Sequence, residues 1–272
     1  MKKMWLLYFA WAVFSTSVYA QQQENVWNKM GDLATQLYQQ GEYDKAVALA
    51  KNAIAMAERE LGPEHPEVAG LLNNLAVIYD TQGQPMLALP LYQRALSIRE
   101  NSMGPDHVSV ADSLSNIAIL YSTQGQFAKA EPMLKRALAI NEMALGPNHP
   151  DIALALNNLG TFYAMQGEYA KAEPVYKRAL SIRESALGPD HPDVAASLAN
   201  LAGLYDAQDK NAEAEKLYQR ALAINEKALG PNHPDVAMTL ENMATLYSKT
   251  GNKAKETSCK SRAEKIRALA GK

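Results

Sequence analysis

Apolar residues recur along this chain at helical spacing, in pairs of stretches separated by short polar turns. In HPDIALALNNLGTFYAMQG (149–167) four of them lie three or four residues apart: Ile152, Leu156, Leu159 and Tyr163. The next stretch, YAKAEPVYKRALSIRESALG (169–188), keeps that spacing at Ala172, Val175, Tyr176, Ala179, Leu180 and Ile182. Each pair of stretches therefore predicts a helical hairpin.

The hairpin pattern repeats with a fixed period. The turn LGPNHPDVA begins at Leu229, and close copies begin at Leu61, Met103, Leu145 and Leu187, each 42 residues after the last. A constant period without insertions indicates one structural unit used repeatedly.

Turn residues mark the predicted helix ends. Gly146 suits the left-handed residue that ends a helix, and Pro147 stops the helix from continuing. Pro150 suits the first turn of the next helix, where its missing N–H costs nothing. Gly167 predicts the tight turn inside the hairpin.

The segment LNNLGTFYAMQGEYAKAEPVYKRALSI (156–182) resembles a tetratricopeptide repeat. The motif's packing positions are filled by Leu156, Leu159, Gly160, Tyr163, Ala172, Tyr176 and Ala179. The 42-residue period and the Leu-Gly-Pro-x-His-Pro linker resemble kinesin light chain repeats in particular. The resemblance implies an all-α, right-handed superhelical solenoid of stacked helix-turn-helix hairpins, with the first helix of each hairpin on the concave surface.

The resemblance extends over nearly the whole chain after residue 20, in six units. They are an atypical first repeat (21–62), four regular repeats (63–104, 105–146, 147–188 and 189–230) and a sixth repeat with a polar capping helix (231–272), and a signal peptide (1–20) is predicted before them from its own pattern.

The first twenty residues have the pattern of a secretory signal. Lys2 and Lys3 precede an apolar run from Met4 to Phe14, and a small-residue stretch ends at Ala20. An uncleaved anchor is the alternative, but the run is shorter than the ~20 residues of a membrane helix. We expect an exported protein, periplasmic or secreted, without stable membrane insertion after cleavage.

Composition narrows the classes of partner. The formal net charge of -2 becomes -4 without Lys2 and Lys3, which argues against nucleic-acid binding. The single cysteine, Cys259, cannot form an intramolecular disulfide.

All histidines lie in the inter-hairpin turns, at His65, His107, His149, His191 and His233. A metal ladder or pH sensor is one interpretation, and helix capping is the other. Stacked hairpins space their turns ~9 Å apart, too far for one metal to reach several. We therefore predict that the histidines cap helices, with no metal and no cofactor.

Catalysis finds little support in the sequence. A carboxylate pair in the groove, Asp80 with Asp112 or Asp206 with Glu241, would suit a hydrolase or a glycan-binding protein. Exposed acidic residues on helices more often serve solvation, so we expect no enzyme. The arginines Arg94, Arg136, Arg178 and Arg220 and the tyrosine row from Tyr79 to Tyr247 are interpreted as solvated and core residues, respectively.

Asparagines recur on the first helices, and they are the candidate peptide-binding residues: Asn73, Asn74, Asn116, Asn157, Asn158, Asn200 and Asn242. A helical Asn offers a donor and an acceptor, which suits the backbone of an extended peptide. A structural role between neighbouring helices is equally open, and Asn73 and Asn157, which are not repeated everywhere, form the less structural pair.

We therefore expect an exported, non-enzymatic scaffold that binds a protein or peptide segment in its groove. Besides the hydrolase, an assembly module that oligomerises through residues 21–60 remains an alternative, and the sequence leaves the oligomeric state open.

Overall fold

A computed structural model describes residues 26–270, and this part of the chain is helical apart from short turns. The predicted signal peptide, 1–20, lies outside the described residues. The helices are α1 (26–39), α2 (Tyr43–Leu61), α3 (Pro66–Thr81), α4 (Pro85–Met103), α5 (Val108–Thr123), α6 (Phe127–Leu145), α7 (Ile152–Met165), α8 (Tyr169–Leu187), α9 (Pro192–Ala207), α10 (Asn211–Leu229), α11 (Pro234–Lys249) and α12 (Lys253–Ala270). Among these helices none combines the length and the apolar character needed to cross a membrane.

The chain divides into two compact units, Met1–Gln126 and Phe127–Lys272. In the first unit, each helix from α2 to α5 packs against the next. In the second unit, each helix from α6 to α12 does the same, and α7, α9 and α11 also contact one another in order. The predicted all-α fold of helical hairpins is confirmed.

Small residues allow the helices of a hairpin to approach closely. On the second helices, the alanines Ala88, Ala172 and Ala214 are fully buried, and Ala76 and Ala202 are their counterparts on the first helices. Prolines at Pro90, Pro132 and Pro174 lie inside α4, α6 and α8 without ending them, because a proline in the first turns removes few helical hydrogen bonds.

Each first helix in the second unit is also covered by the second helix that precedes it. Met243 and Tyr247 of α11 pack with Ala214 and Tyr218 of α10. A hairpin therefore completes its core only with help from its neighbour.

The tyrosine row belongs to this core, as predicted. Tyr79, Tyr121, Tyr163 and Tyr247 are buried, whereas Tyr205 is half-buried. In the second unit the phenols reach back to glutamates of the preceding second helix: Tyr163 to Glu131, Tyr205 to Glu173 and Tyr247 to Glu215, at 3.3, 3.1 and 2.8 Å. The Lys255 ammonium, 2.8 Å from Glu215, and the Tyr247 hydroxyl both lower the pKa of that carboxyl.

The arginine row differs from its interpretation as a solvated face. Arg178 donates to Glu142 of the preceding second helix at 2.6 Å and to the Pro147 carbonyl of the intervening turn at 2.9 Å. Arg94 makes the same two contacts, with Glu58 and Pro63. A guanidinium presents a rigid fork of donors, so one side chain joins two successive hairpins and their turn.

Both the hairpin turns and the last helix show how single residues set the geometry. Asp209 stands where other hairpins have glycine, and it adopts the same left-handed conformation, with φ of 60°.

In α12, Glu256 and Lys260 occupy positions that are Ala and Tyr in most of the other hairpins, and they pair with each other at 2.6 Å. This polar surface is what the predicted capping helix requires.

The forked arginine predicts a stability effect that a solvated arginine would not have. We expect Arg178→Ala to lower the free energy of unfolding by about 1 kcal/mol, because a partly exposed ion pair and a hydrogen bond are lost together. Urea titration followed by circular dichroism measures it. Lys216→Ala, at an exposed lysine on α10, is the control and should change stability by less than about 0.5 kcal/mol. Equal effects of the two substitutions would contradict the joining role.

Candidate functional site

The inter-hairpin turns are built as joints, and their histidines cap helices as predicted. The Nδ1 atom of His191 accepts the backbone N–H of Asp193 at 3.2 Å, and His65, His107, His149 and His233 repeat the contact. The glycine before each turn, such as Gly188 with φ of 84°, has the left-handed conformation expected there. The joint before α7 differs in detail. Helix α7 begins at Ile152, because the N–H groups of Ile152 and Ala153 donate to carbonyls three residues earlier, those of His149 and Pro150.

The first helices carry the candidate residues, and the exposed side of these helices in each unit is called the first-helix face. In the first unit it is formed by α1, α3 and α5, and in the second unit by α7, α9 and α11. It comprises the side chains that these helices leave outside the core.

In the first unit, two of the asparagines bind each other. The Nδ2 of Asn116 on α5 donates to Oδ1 of Asn73 on α3 at 2.8 Å, whereas Asn74 is exposed. The expectation that Asn73 is among the less structural asparagines is therefore wrong, because this bond links two successive first helices.

In the second unit the equivalent asparagines behave differently. Asn157 and Asn200 lie 84 residues after Asn73 and Asn116, on α7 and α9, which contact each other. Asn157 is only 7% exposed, and its Oδ1 is buried without a hydrogen-bond partner in the described part of the chain. Asn200 is exposed, and Asn158 and Asn242 are half-buried. A buried acceptor without a partner is costly, so the Asn157 amide gains a hydrogen bond if it turns outward and meets a donor at the seam between α7 and α9.

Exposed apolar side chains accompany the asparagines of the second unit. Leu154 on α7 is 60% exposed, Met238 on α11 is 47% exposed, and Met165 is similarly open. At the register of these residues α9 presents the small residues Ala196 and Ala207, with Asn200 and Gly203 between them. Sequence reasoning missed these apolar residues, although their signal was present: Leu154 and Met238 stand at one register, which holds Asn28, Gly70, Asp112 and Ala196 in the other repeats.

The first unit has a cleft of about 350 Å³ between α1 and α3. It is lined by Asn28, Gly31, Asp32, Glu67, Gly70, Leu71 and Asn74. Two glycines leave room on this part of the first-helix face, and two carboxylates make it acidic.

The carboxylates considered for catalysis are already engaged in the second unit. Asp206 pairs with Lys249 at 3.2 Å, and Glu241 receives two bonds from Arg267 at 3.2 Å each. In the first unit, burial raises the pKa of Asp80 and Asp112, and the Arg99 charge opposes the shift at Asp112. Within residues 26–270 no three His, Cys, Asp or Glu side chains converge as a metal site would need.

Comparison with known proteins agrees with this arrangement. The sequence profile of the tetratricopeptide repeat matches five overlapping segments, 23–101, 71–143, 126–185, 151–227 and 207–267. The chain belongs to the tetratricopeptide repeat family. Proteins of this family are generally non-catalytic scaffolds for protein–protein interactions. No curated protein sequence matches the chain.

Solved structures with the tetratricopeptide repeat fold include kinesin light chain-like proteins. A protein of Podospora anserina with nearly identical repeats of this kind is 27% identical, with 74% of this chain and 95% of that chain covered and a TM-score of 0.63. BtubC (BKLC) of P. vanneervenii is also 27% identical, covering 84% and 92%, with a TM-score of 0.67. A Rap protein complexed with Competence and Sporulation Factor shares the fold at 18% identity, with 89% and 75% covered and a TM-score of 0.63.

Capping predicts how a joint histidine responds to substitution. We expect His191→Ala to cost about 1 kcal/mol of unfolding free energy, because the Asp193 N–H loses its acceptor, and His191→Asp to restore most of it, because aspartate also caps helices. Thermal unfolding of the three proteins checks this. An aspartate variant as unstable as the alanine variant would contradict capping.

Proposed function

We propose that the protein is an exported, non-enzymatic scaffold that binds an extended segment of a partner protein along the first-helix face of its second unit. The proposal rests on a difference between two equivalent asparagine pairs, Asn73 with Asn116 and Asn157 with Asn200. The first unit closes its pair with the Asn116–Asn73 bond, whereas the buried Oδ1 of Asn157 has no such bond.

An extended peptide has the groups that this seam lacks. The Asn157 amide is buried, so a backbone N–H of the peptide would reach its Oδ1 only after this side chain turns outward, whereas the exposed amide of Asn200 would donate to a backbone carbonyl directly. Such contacts recognise the peptide backbone whatever its side chains, as expected when helical asparagines hold an extended segment.

The apolar side chains beside the seam favour a segment with apolar residues. Leu154, Met165 and Met238 are exposed around the small residues of α9, so together they offer apolar contact area around a shallow depression. Methionine is flexible and adapts to differently shaped partners. The engagement of Asp206 and Glu241 by basic side chains favours binding over a hydrolase at this face.

Peptide selection tests the proposal. Three first helices spaced ~9 Å apart span the length of about 8 to 10 extended residues. A phage-displayed library of random peptides about 12 residues long should yield binders. Their affinity, measured by fluorescence polarisation, should fall at least about tenfold in the variant Asn157→Ala, Asn158→Ala, Asn200→Ala, because each lost amide contact contributes about 1 kcal/mol.

The control replaces asparagines of the same type outside this face. Asn52→Ala and Asn101→Ala lie at exposed positions of the second helices α2 and α4, and together they should leave the affinity within about twofold. Circular dichroism verifies that both variants are folded. If no peptide is enriched, or if both variants bind equally, the first-helix face of the second unit is not the binding site.

Export is proposed on the basis of the amino-terminal pattern alone. We expect the protein recovered from an exporting host to begin at Gln21, because the small-residue stretch before it ends at Ala20. Amino-terminal sequencing after cell fractionation checks this. Protein that keeps Met1 and stays in the cytoplasm would contradict export without affecting peptide binding.

A further inference from the structure

One side of α1 carries an apolar stripe, with two exposed and two half-buried residues, at positions that the other hairpins bury with the exception of the half-buried Tyr205. The stripe consists of Val26, Met30, Leu33 and Leu37, at spacings of four, three and four residues that keep them on one helix face. Val26 is 40% exposed and Leu33 is 48% exposed, whereas their counterparts 42 residues later, Val68 and Leu75, are 0% and 3% exposed.

The other hairpins show what normally covers these positions. At the register of Leu33 and Leu37, Met243 and Tyr247 lie against the second helix that precedes them, α10. At the register of Val26 and Met30, Val236 and Leu240 lie against their own second helix and against Leu222 of α10. Within the described residues, α1 has no preceding second helix to provide this cover.

The residues of the first hairpin are not suited to receive another hairpin of the same kind. Leu37 replaces the tyrosine whose hydroxyl reaches a preceding glutamate, as Tyr163 reaches Glu131. Asn52 replaces the arginine that forks to a preceding glutamate and turn, as Arg94 does. The first hairpin therefore has a leucine and an asparagine in place of the tyrosine and arginine whose polar contacts join successive hairpins.

The last helix is equally unsuited to stack on this stripe. The register of Glu131 holds Thr257 in α12, and the register of Glu142 holds Ala268, so α12 lacks both glutamates. Its exposed surface includes Lys253, Glu264 and Lys265 instead. Burying such charges against the apolar stripe without partners would be costly, so head-to-tail stacking of two copies is disfavoured.

A second copy of the same stripe fits. A two-fold axis crossing α1 between Met30 and Leu33 places Met30 of one copy beside Leu33 of the other, and Val26 beside Leu37. Lys29 and Asp32 lie on the same flank of the stripe, and neither enters an ion pair in the described part of the chain. The two-fold axis places this flank on the same side of both α1 helices. Lys29 of each copy therefore lies on the side of the contact that carries Asp32 of the other copy.

We propose that the protein forms a symmetric dimer through the α1 stripe of two copies. The contact is apolar at its centre and has complementary charges at its rim, which is the usual composition of a specific interface. It is independent of the proposed peptide site, because it uses α1 of the first unit, whereas the α7–α9 seam belongs to the second unit, and it uses none of the candidate asparagines.

Sedimentation velocity of the purified protein over about 1–200 µM tests the dimer. We expect a reversible monomer–dimer equilibrium. Leu33→Glu should raise the dimer dissociation constant by more than about 30-fold, because it places a charge at the apolar centre. Leu87→Glu, at a leucine on α4 that is likewise 48% exposed, is the matched control and should change the constant by less than about twofold.

A charge exchange tests the symmetry of the contact. Lys29→Glu should weaken the dimer about three- to tenfold, because it faces Asp32 of the other copy. Adding Asp32→Lys should restore the affinity, since the two charges are exchanged in both copies. A contact that joined different surfaces of the two copies would not be restored.

Three results would overturn the proposal. They are a protein that stays monomeric over the whole concentration range, a dimer that persists in the folded Leu33→Glu variant, and a chain that dimerises only after residues 1–25 are removed. The last result would mean that the segment preceding α1 covers the stripe.

Discussion

A helical hairpin of about 40 residues has more apolar surface than its two helices can cover for each other, and this constraint governs the protein. The first helix needs the preceding second helix, as Met243 and Tyr247 need α10. Every regular repeat therefore keeps the same small and large residues at the same register, and fully buried alanines such as Ala88 and Ala214 leave the space that the large residues fill.

The polar contacts between hairpins follow from the same dependence. Since neighbouring hairpins must meet at one geometry to close the core, the turn is held by a glycine, a histidine cap and a forked arginine. These contacts lie at the joints and on the second helices. They leave the exposed positions of the first helices unconstrained by stacking, and some of these vary between repeats, from Gly70 through Asp112 to Leu154. Variable residues on a rigid scaffold are where a repeat protein can acquire a specific partner.

Local patterns made the hairpins, the tyrosine core and the histidine caps predictable, because each depends on spacing along one or two helices or on a single turn. The arginine forks were not predictable as joints, since the distance from Arg178 to Glu142 depends on how two hairpins pack. The asparagines show the limit most clearly. Asn73 and Asn157 are the same residue at the same register, yet one accepts a bond from Asn116 while the other has a buried oxygen without a partner. No period in the sequence distinguishes these two environments, which depend on side-chain packing across separate helices.

The forked arginine also bears on the order in which the chain can fold. Arg178 reaches back 36 residues to Glu142 and 31 residues to Pro147, and Tyr247 reaches back 32 residues to Glu215. These arginine and tyrosine contacts thus span less than one repeat period, and the bond from Asn116 to Asn73 spans 43 residues. Loop closures of this length carry a modest entropic cost and do not grow with the number of repeats. A chain that appears progressively from its amino terminus, as an exported chain does when it crosses a membrane, can therefore complete each hairpin against the one just finished, and the loops to be closed keep the same length when a whole repeat is added or lost.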